Sequence, residues 1–279
     1  MIKDGRSFLG GSEVAWSERL VVRDGVRLVC RDWGGSAQAL LLLHGLAGHV
    51  GEWDSLANDL SSRFRVVAVD QRGHGASERH PQDVSRRAYV ADAVAVVEQL
   101  DLRQPVLVGQ SMGGHTAMLT AAAHPELVRA LVLIEAGPGG PNPKVPADIG
   151  AWLDSWPTPF PSREAAVSFF GGGPVGEGWA SGLEERDGAW WPRFDRNVMV
   201  RSMEENARRS FWHEWGQVTC PTLVLLGQAG FIPTEEADEM LRRRPATLAM
   251  SIPGAGHDLH LEQAETVRAA LSDFLTKPA

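Results

Sequence analysis

Only two cysteines, Cys30 and Cys220, occur in the 279 residues. That is too few for a disulfide framework, and neither lies in a histidine cluster of zinc spacing. Cys30 falls in a stretch that reads as a strand and Cys220 just before another, so both are expected as free, buried thiols. The nine histidines are scattered and no metal site is expected. No apolar run approaches the length of a membrane span, and the opening MIKDGRSFLGGSEVAW lacks the apolar stretch of a signal peptide. A cytoplasmic protein without a membrane partner is the expectation. An excess of basic residues is missing too. The formal charge of −8 and the pI of about 5.6 argue against nucleic acid as a partner. What is present is 43% hydrophobic and 22% charged residues, the balance of an ordinary globule, in a length that suits one α/β domain carrying a modest insertion.

Short apolar runs punctuated by Gly and Pro alternate with helical stretches. Val26–Cys30 reads as an early strand, antiparallel to a neighbour across Arg23-Asp24-Gly25. Leu40–Leu43 follows, uniformly apolar as a strand covered on both faces must be, and Val66–Val69 repeats that pattern; Pro105–Val108, Ala130–Ile134, Thr222–Leu226 and Thr247–Ile252 come next. Tyr89–Leu100 carries Val90, Val94, Val97 and Leu100 at helical spacing. Met112–Ala123 is a helix stopped at His124-Pro125, and Leu261–Leu275 closes the chain. This alternation predicts a mostly parallel, doubly wound sheet of about eight strands with helices on both faces.

One stretch breaks the rhythm. From Gly137 to Trp215 no strand is evident, and seven of the ten tryptophans fall there. It reads as a helical cap inserted after the sixth strand, with residues 1–136 and 216–279 forming the core and 137–215 the cap. Its tryptophans supply wide apolar walls; about half are expected to line a pocket, Trp152 and Trp156 first among them. The Gly171–Gly178 run reads as mobile loops or as a solvated linker.

The chemistry concentrates at three strand ends. Gly109-Gln110-Ser111-Met112-Gly113 lies between a strand and a helix, where a sharp turn presents the serine and glycines remove clashing side chains. Ser111 is the candidate nucleophile. His44-Gly45-Leu46 ends an earlier strand, so the N–H groups of Leu46 and Met112 are candidate oxyanion donors, each worth about 3–4 kcal/mol to a transition state. His44 itself reads as a histidine that shapes its loop. His257, on a Gly-rich loop after the last strand, is the candidate general base; His260, one turn on, reads as a surface residue. The acid is less plain. After Thr222–Leu226 the sequence has Gly230, at the place where the α/β-hydrolase family that the chain resembles carries its Asp, and Glu235 and Glu236 begin the next helix. Glu135, a carboxylate ending an apolar strand, is costly to bury unless paired, and a bond to the His257 ring would supply the pair. Asp258, Glu235 and Glu236 remain as alternatives, and a salt bridge to a cap arginine remains as a structural role for Glu135.

With Asp70-Gln71-Arg72-Gly73-His74-Gly75-Ala76-Ser77, which matches the Asp-x-Arg-Gly-x-Gly-x-Ser loop, the chain resembles the α/β-hydrolase superfamily along nearly its whole length. The resemblance implies the α/β-hydrolase fold and a serine esterase or lactonase that acts on a small-molecule ester or lactone and needs no metal or organic cofactor. A glutamate after the sixth strand is similar to the arrangement in zearalenone lactonases and in some haloalkane dehalogenases, whose aspartate nucleophile Ser111 excludes. The whole chain also resembles the macrolide esterases of resistance cassettes, which would imply lactone opening. Cofactor-free oxygenases, carbon–carbon bond hydrolases, peptidases and non-enzymatic receptors share the fold and stand as rivals.

Overall fold

The computed structural model describes residues 4–9 and 12–276. Its strands run β1 (Asp4–Leu9), β2 (Ser12–Arg23), β3 (Val26–Asp32), β4 (Ala39–Leu43), β5 (Arg65–Val69), β6 (Val106–Gln110) and β7 (Ala130–Ile134). An insertion holding β8 (Leu183–Arg186) and β9 (Ala189–Pro192) follows, then β10 (Thr222–Gly227) and β11 (Leu248–Ile252). Nine of them form one sheet in the order β1-β2-β3-β5-β4-β6-β7-β10-β11. From β5 to β11 every pairing is parallel, and β1 to β3 close that edge antiparallel. The 23–26 turn pairs β2 with β3 as the sequence suggests.

Period-two alternation distributes each buried strand between two layers. Leu41 and Leu43 of β4, Val67 and Val69 of β5, and Leu131 and Leu133 of β7 face helices Arg86–Gln99 and Met112–Ala123. Leu40 and Leu42, Val66 and Ala68, and Val132 and Ile134 face Trp53, Leu56 and the C-terminal helix Ala264–Thr276. Both faces are thereby covered, which is why β4, β6 and β7 are buried at every position. Cys30 and Cys220 are both free and buried. No helix among the described residues is long and apolar enough to cross a membrane.

Between β7 and β10 the chain forms helices Val145–Asp154, Arg163–Phe169, Gly173–Ala180, Arg196–Ser202, Glu204–Arg208 and Trp212–Gln217. Two expectations are corrected here. The segment is not free of strands: β8 and β9 pair across Asp187-Gly188, whose φ values of 54° and 74° are those of a tight hairpin turn. Nor is Gly171–Gly178 a loop. Pro174 sits in the first turn of helix Gly173–Ala180, and the glycines permit close packing. A Cβ at Gly176 would overlap the Val167 carbonyl, and one at Gly178 would press on Leu261. Trp156, Phe160 and Met199 build a third apolar cluster, which reaches down to Leu46, Tyr89 and Met112. Trp215, by contrast, joins the layer that covers the sheet.

Candidate active site

Ser111 follows β6 directly with φ 51° and ψ −119°, a conformation that L residues adopt only under constraint. Its N–H donates to Ile134 O (2.9 Å), and its own carbonyl accepts from His115 N (2.9 Å), which begins the helix. A Cβ at Gly109 would overlap the Gly113 backbone, and one at Gly113 would overlap Leu43 and His44, so the turn tolerates no side chain at either position.

The loop after β4 passes over this turn. A Cβ added at Gly45 would lie 3.4 Å from Ser111 Cβ. Among the described residues neither Leu46 N nor Met112 N donates a hydrogen bond to protein, as donors kept for a ligand oxygen would be. Three buried imidazoles hold the loop. His44 donates from Nδ1 to Gly45 O (2.7 Å) and accepts at Nε2 from Gln71 N (3.0 Å). His74 donates to Arg72 O (2.9 Å) and accepts from Ala47 N (3.1 Å). His49 accepts from Gly51 N (3.0 Å) and donates to Gly178 O of the insertion (3.0 Å). Each needs one protonated and one bare nitrogen, and so the neutral ring. Burial enforces it, lowering His44 to about 4 and His74 and His49 to about 3.

A pH dependence follows. The unfolded chain takes up these protons near 6.5 and the folded chain only near 4 or below. The stabilisation is therefore complete above about 6.5 and is lost as pH falls towards 4, roughly 3 kcal/mol from His44 alone. Glu52, whose buried carboxyl is pushed well above its ordinary range, works in the opposite direction and offsets part of the loss. Asp54 and Glu236, also raised by burial, act in the same sense as Glu52, against five buried histidines whose pKa is lowered. The thermal midpoint should drop steeply between pH 6.5 and 4.5; a flat profile by circular dichroism would contradict the neutral-ring assignment.

Glu135 follows β7 in the left-handed region at φ 49° and is 1% exposed. Its Oε1 accepts from Gly227 N (2.8 Å), and its Oε2 accepts from Phe231 N (2.7 Å) and faces His257 Nδ1 at 3.4 Å. No cap arginine reaches it among the described residues. A Cβ at Gly230 would overlap both carboxylate oxygens. Glu135 therefore fills, from the neighbouring strand, the space an acidic side chain at residue 230 would need.

The alternatives lie elsewhere. Glu235 is exposed, Glu236 accepts from Gly139 N (2.8 Å), and Asp258 accepts from Trp179 Nε1 (2.8 Å). His260 is not a surface residue as expected. It is 4% exposed and faces Glu52 Oε2 at 3.4 Å beside Trp53, because its helical turn points back beneath the loop after β4.

The His257 ring is partly exposed and lies flat against Phe231, with centroids 4.3 Å apart and planes 22° apart. Its loop is fixed by Glu262, which accepts from Gly256 N (2.5 Å) and Asp258 N (3.1 Å), and by Gln110 Nε2, which donates to His257 O (3.2 Å). Among the described residues no hydrogen bond joins Ser111 Oγ to His257; Gln110 ties the two segments together. Gln110, Phe231, Glu262 and His49 were not singled out by sequence reasoning. Gln110, inside the Gly-x-Ser-x-Gly motif, and Phe231, next to the anomalous Gly230, had a signal that could have been followed.

Trp152, Trp156 and Trp179 pack edge to face, with centroids 5.3–5.9 Å apart. Trp156 and Trp179, with Phe194, face Gly48 and His49 across a narrow crevice. Trp152 is 38% exposed and does not line it. Among the described residues no three His, Cys, Asp or Glu side chains are arranged to hold a metal ion.

The chain is 29% identical over 259 residues to the sn-1-specific diacylglycerol lipase of Mus musculus, covering 88% of this chain and 83% of the relative. It is 26% identical over 249 residues to the 2-(acetamidomethylene)succinate hydrolase of Mesorhizobium japonicum, covering 86% and 89%. The crystal structure of E-2-(acetamidomethylene)succinate hydrolase superposes with a TM-score of 0.85 at 25% identity, over 94% of this chain and all of that one. The enol-lactonase of Burkholderia xenovorans LB400 shares the fold, with a TM-score of 0.77 at 20% identity over 93% of this chain and all of that one. The profile of the alpha/beta hydrolase family matches residues 40–270, from β4 into the C-terminal helix, and the chain belongs to that family of hydrolases.

Proposed function

We propose that the protein hydrolyses carboxylic esters or lactones through a covalent acyl-enzyme. The observation that carries this reading is the Glu135 carboxylate, held by two backbone N–H groups and facing Nδ1 of a histidine whose loop is tied to the residue beside Ser111. Glu135 keeps the Nδ1–H tautomer of His257, leaving Nε2 free to take the Ser111 proton. Ser111 Oγ then bonds to the carbonyl carbon, and the oxyanion accepts from Leu46 N and Met112 N. As the carbonyl reforms, the alcohol leaves with the proton from His257. Water, deprotonated by the same ring, splits the acyl-enzyme and returns Ser111 to its hydroxyl form. In a lactone the alcohol stays tethered to the acyl group. The lipase and hydrolase names of the relatives support hydrolysis, and the aromatic cluster over the crevice supports an apolar portion in the substrate.

Intact-mass spectrometry after treatment with a fluorophosphonate, beside a panel running from short p-nitrophenyl esters through simple lactones to a macrolide, tests this reading. The expected result is a single adduct on Ser111 and a gain of one water on at least one ester or lactone. Macrolide opening would extend the reading to the bulky lactones of the resistance esterases. Absence of an adduct together with absence of any hydrolysed member would overturn the proposal in favour of a ligand receptor or an oxygenase.

A further inference from the structure

The helix packed against the one that follows Ser111 opens on a buried charge that the proposed hydrolysis does not use. Arg86 opens helix Arg86–Gln99 and is 1% exposed, yet Nε and both terminal nitrogens find no hydrogen-bond partner among the described residues. Its guanidinium lies over the Tyr89 ring at 4.1 Å, and the Tyr89 hydroxyl is already engaged by Arg72 O and Ser202 Oγ. Glu205 is at hand but turned away. Its Oε2 accepts from the Arg86 backbone N–H (3.1 Å), and its Oε1 accepts from Arg209. With only the charge of Glu205 and the Tyr89 side chain to offset burial, a guanidinium without a hydrogen-bonded carboxylate is costly in a protein interior.

His115 repeats the pattern. It is 4% exposed, and neither ring nitrogen has a partner among the described residues. Its ring stands edge-on to Phe211 at 4.3 Å, so the aromatic neighbour satisfies neither nitrogen. Burial, with the charges of Arg86 and Arg209, holds it in the neutral form. A guanidinium and a neutral imidazole, both unpaired under the insertion, lack the same thing: an anion with two acceptor oxygens. His115 is four residues from Ser111, about 6 Å along the helix, the reach of an acyl chain of a few carbons.

We propose that Arg86 and His115 form a carboxylate-binding subsite, and that the substrate carries a free carboxylate on the acyl side of its ester or lactone. The inference rests on the hydrolase reading above for its chemistry, but the anion site can be read without turnover.

The test compares p-nitrophenyl butyrate with the mono-p-nitrophenyl ester of glutarate, and adds free glutarate as a probe. Wild type is expected to prefer the acidic ester. Arg86→Met is expected to lower the acidic-to-neutral ratio of kcat/KM by about 30-fold or more, while its thermal midpoint rises, since an unpaired charge gives way to an apolar side chain. Glutarate should raise the midpoint of wild type but not of Arg86→Met, and should inhibit butyrate ester hydrolysis competitively. An unchanged ratio in Arg86→Met, or a glutarate effect that survives it, would overturn the subsite. So would failure of Arg86→Met to fold, which would make the arginine a structural support. His115→Phe should lower the same ratio, and an unaltered ratio there removes His115 from the site. Stabilisation by glutarate without competition would mark a free-anion site unconnected to the substrate. Hydrolysis of neither ester would count against the hydrolase reading alone, and the glutarate shift would still decide the subsite.

Discussion

Ser111→Ala should lower ester hydrolysis by about a millionfold while leaving the fold in place. Removing a nucleophile that acts as one unit with its base abolishes the covalent route, and what remains comes from oxyanion donors and binding. The donors proposed here are backbone N–H groups of residues 46 and 112, which the substitution leaves intact. Alanine also fits the space, being the serine side chain without its oxygen, and the close contacts of the turn at Gly109 and Gly113 are untouched. The strained φ of 51° persists, so the thermal midpoint should move little. Stopped-flow acylation and steady-state rates measure the loss. Retention of most of the wild-type rate would place the chemistry on His257 alone, as in the cofactor-free oxygenases.

Glu135→Gln should cost about 10⁴-fold in kcat, the magnitude seen when a triad acid becomes an amide and its histidine is held in the wrong tautomer. Two backbone donors, Gly227 N and Phe231 N, point at the two carboxylate oxygens. An amide presents an oxygen to only one of them, so a measurable stability loss accompanies the kinetic one. The overlap at Gly230 gives the sharper experiment. Gly230→Asp in the wild-type background forces two carboxylates into one space and should destabilise the protein. In a Glu135→Ala background the same substitution should recover about tenfold or more of the lost activity, a coupling that only neighbouring side chains show. Equal effects of Gly230→Asp in the two backgrounds would remove Glu135 from the proposed relay.

Most of the sheet was legible because burial on two faces leaves a plain record. Ala130–Ile134 and Met112–Ala123 appear with the bounds read from the sequence, and the other strands that were read with bounds differ by a residue or two, whereas β1 was not read and β2 was read only as a neighbour of β3. The hairpin in the insertion was not legible, since Ala189–Pro192 is half-buried and its tryptophans suggest a wall as readily as a strand. The Asp187-Gly188 pair was its only mark. Glu135 stood out on two grounds: a charge at the end of an apolar strand requires a partner, and the family resemblance places an acid after the sixth strand. What no local pattern could convey was that the Glu135 carboxylate occupies the space a side chain at Gly230 would need, because that exclusion exists only between residues 95 apart in the chain. The burial of His260 was missed for the same reason, since its neighbour Glu52 lies 208 residues away.

The insertion is not a detachable module. Helix Gly173–Ala180 accepts from His49 through Gly178 O and donates through the Trp179 indole to Asp258, the residue beside His257. Two loops at the ends of the sheet's strands thus finish their bonding on the insertion. An engineer who exchanged residues 137–215 for a foreign insertion to widen specificity would strand a buried imidazole and a carboxylate at one stroke. Changes to the Trp156–Trp179–Phe194 wall therefore have to proceed one side chain at a time, with the helix that frames it kept.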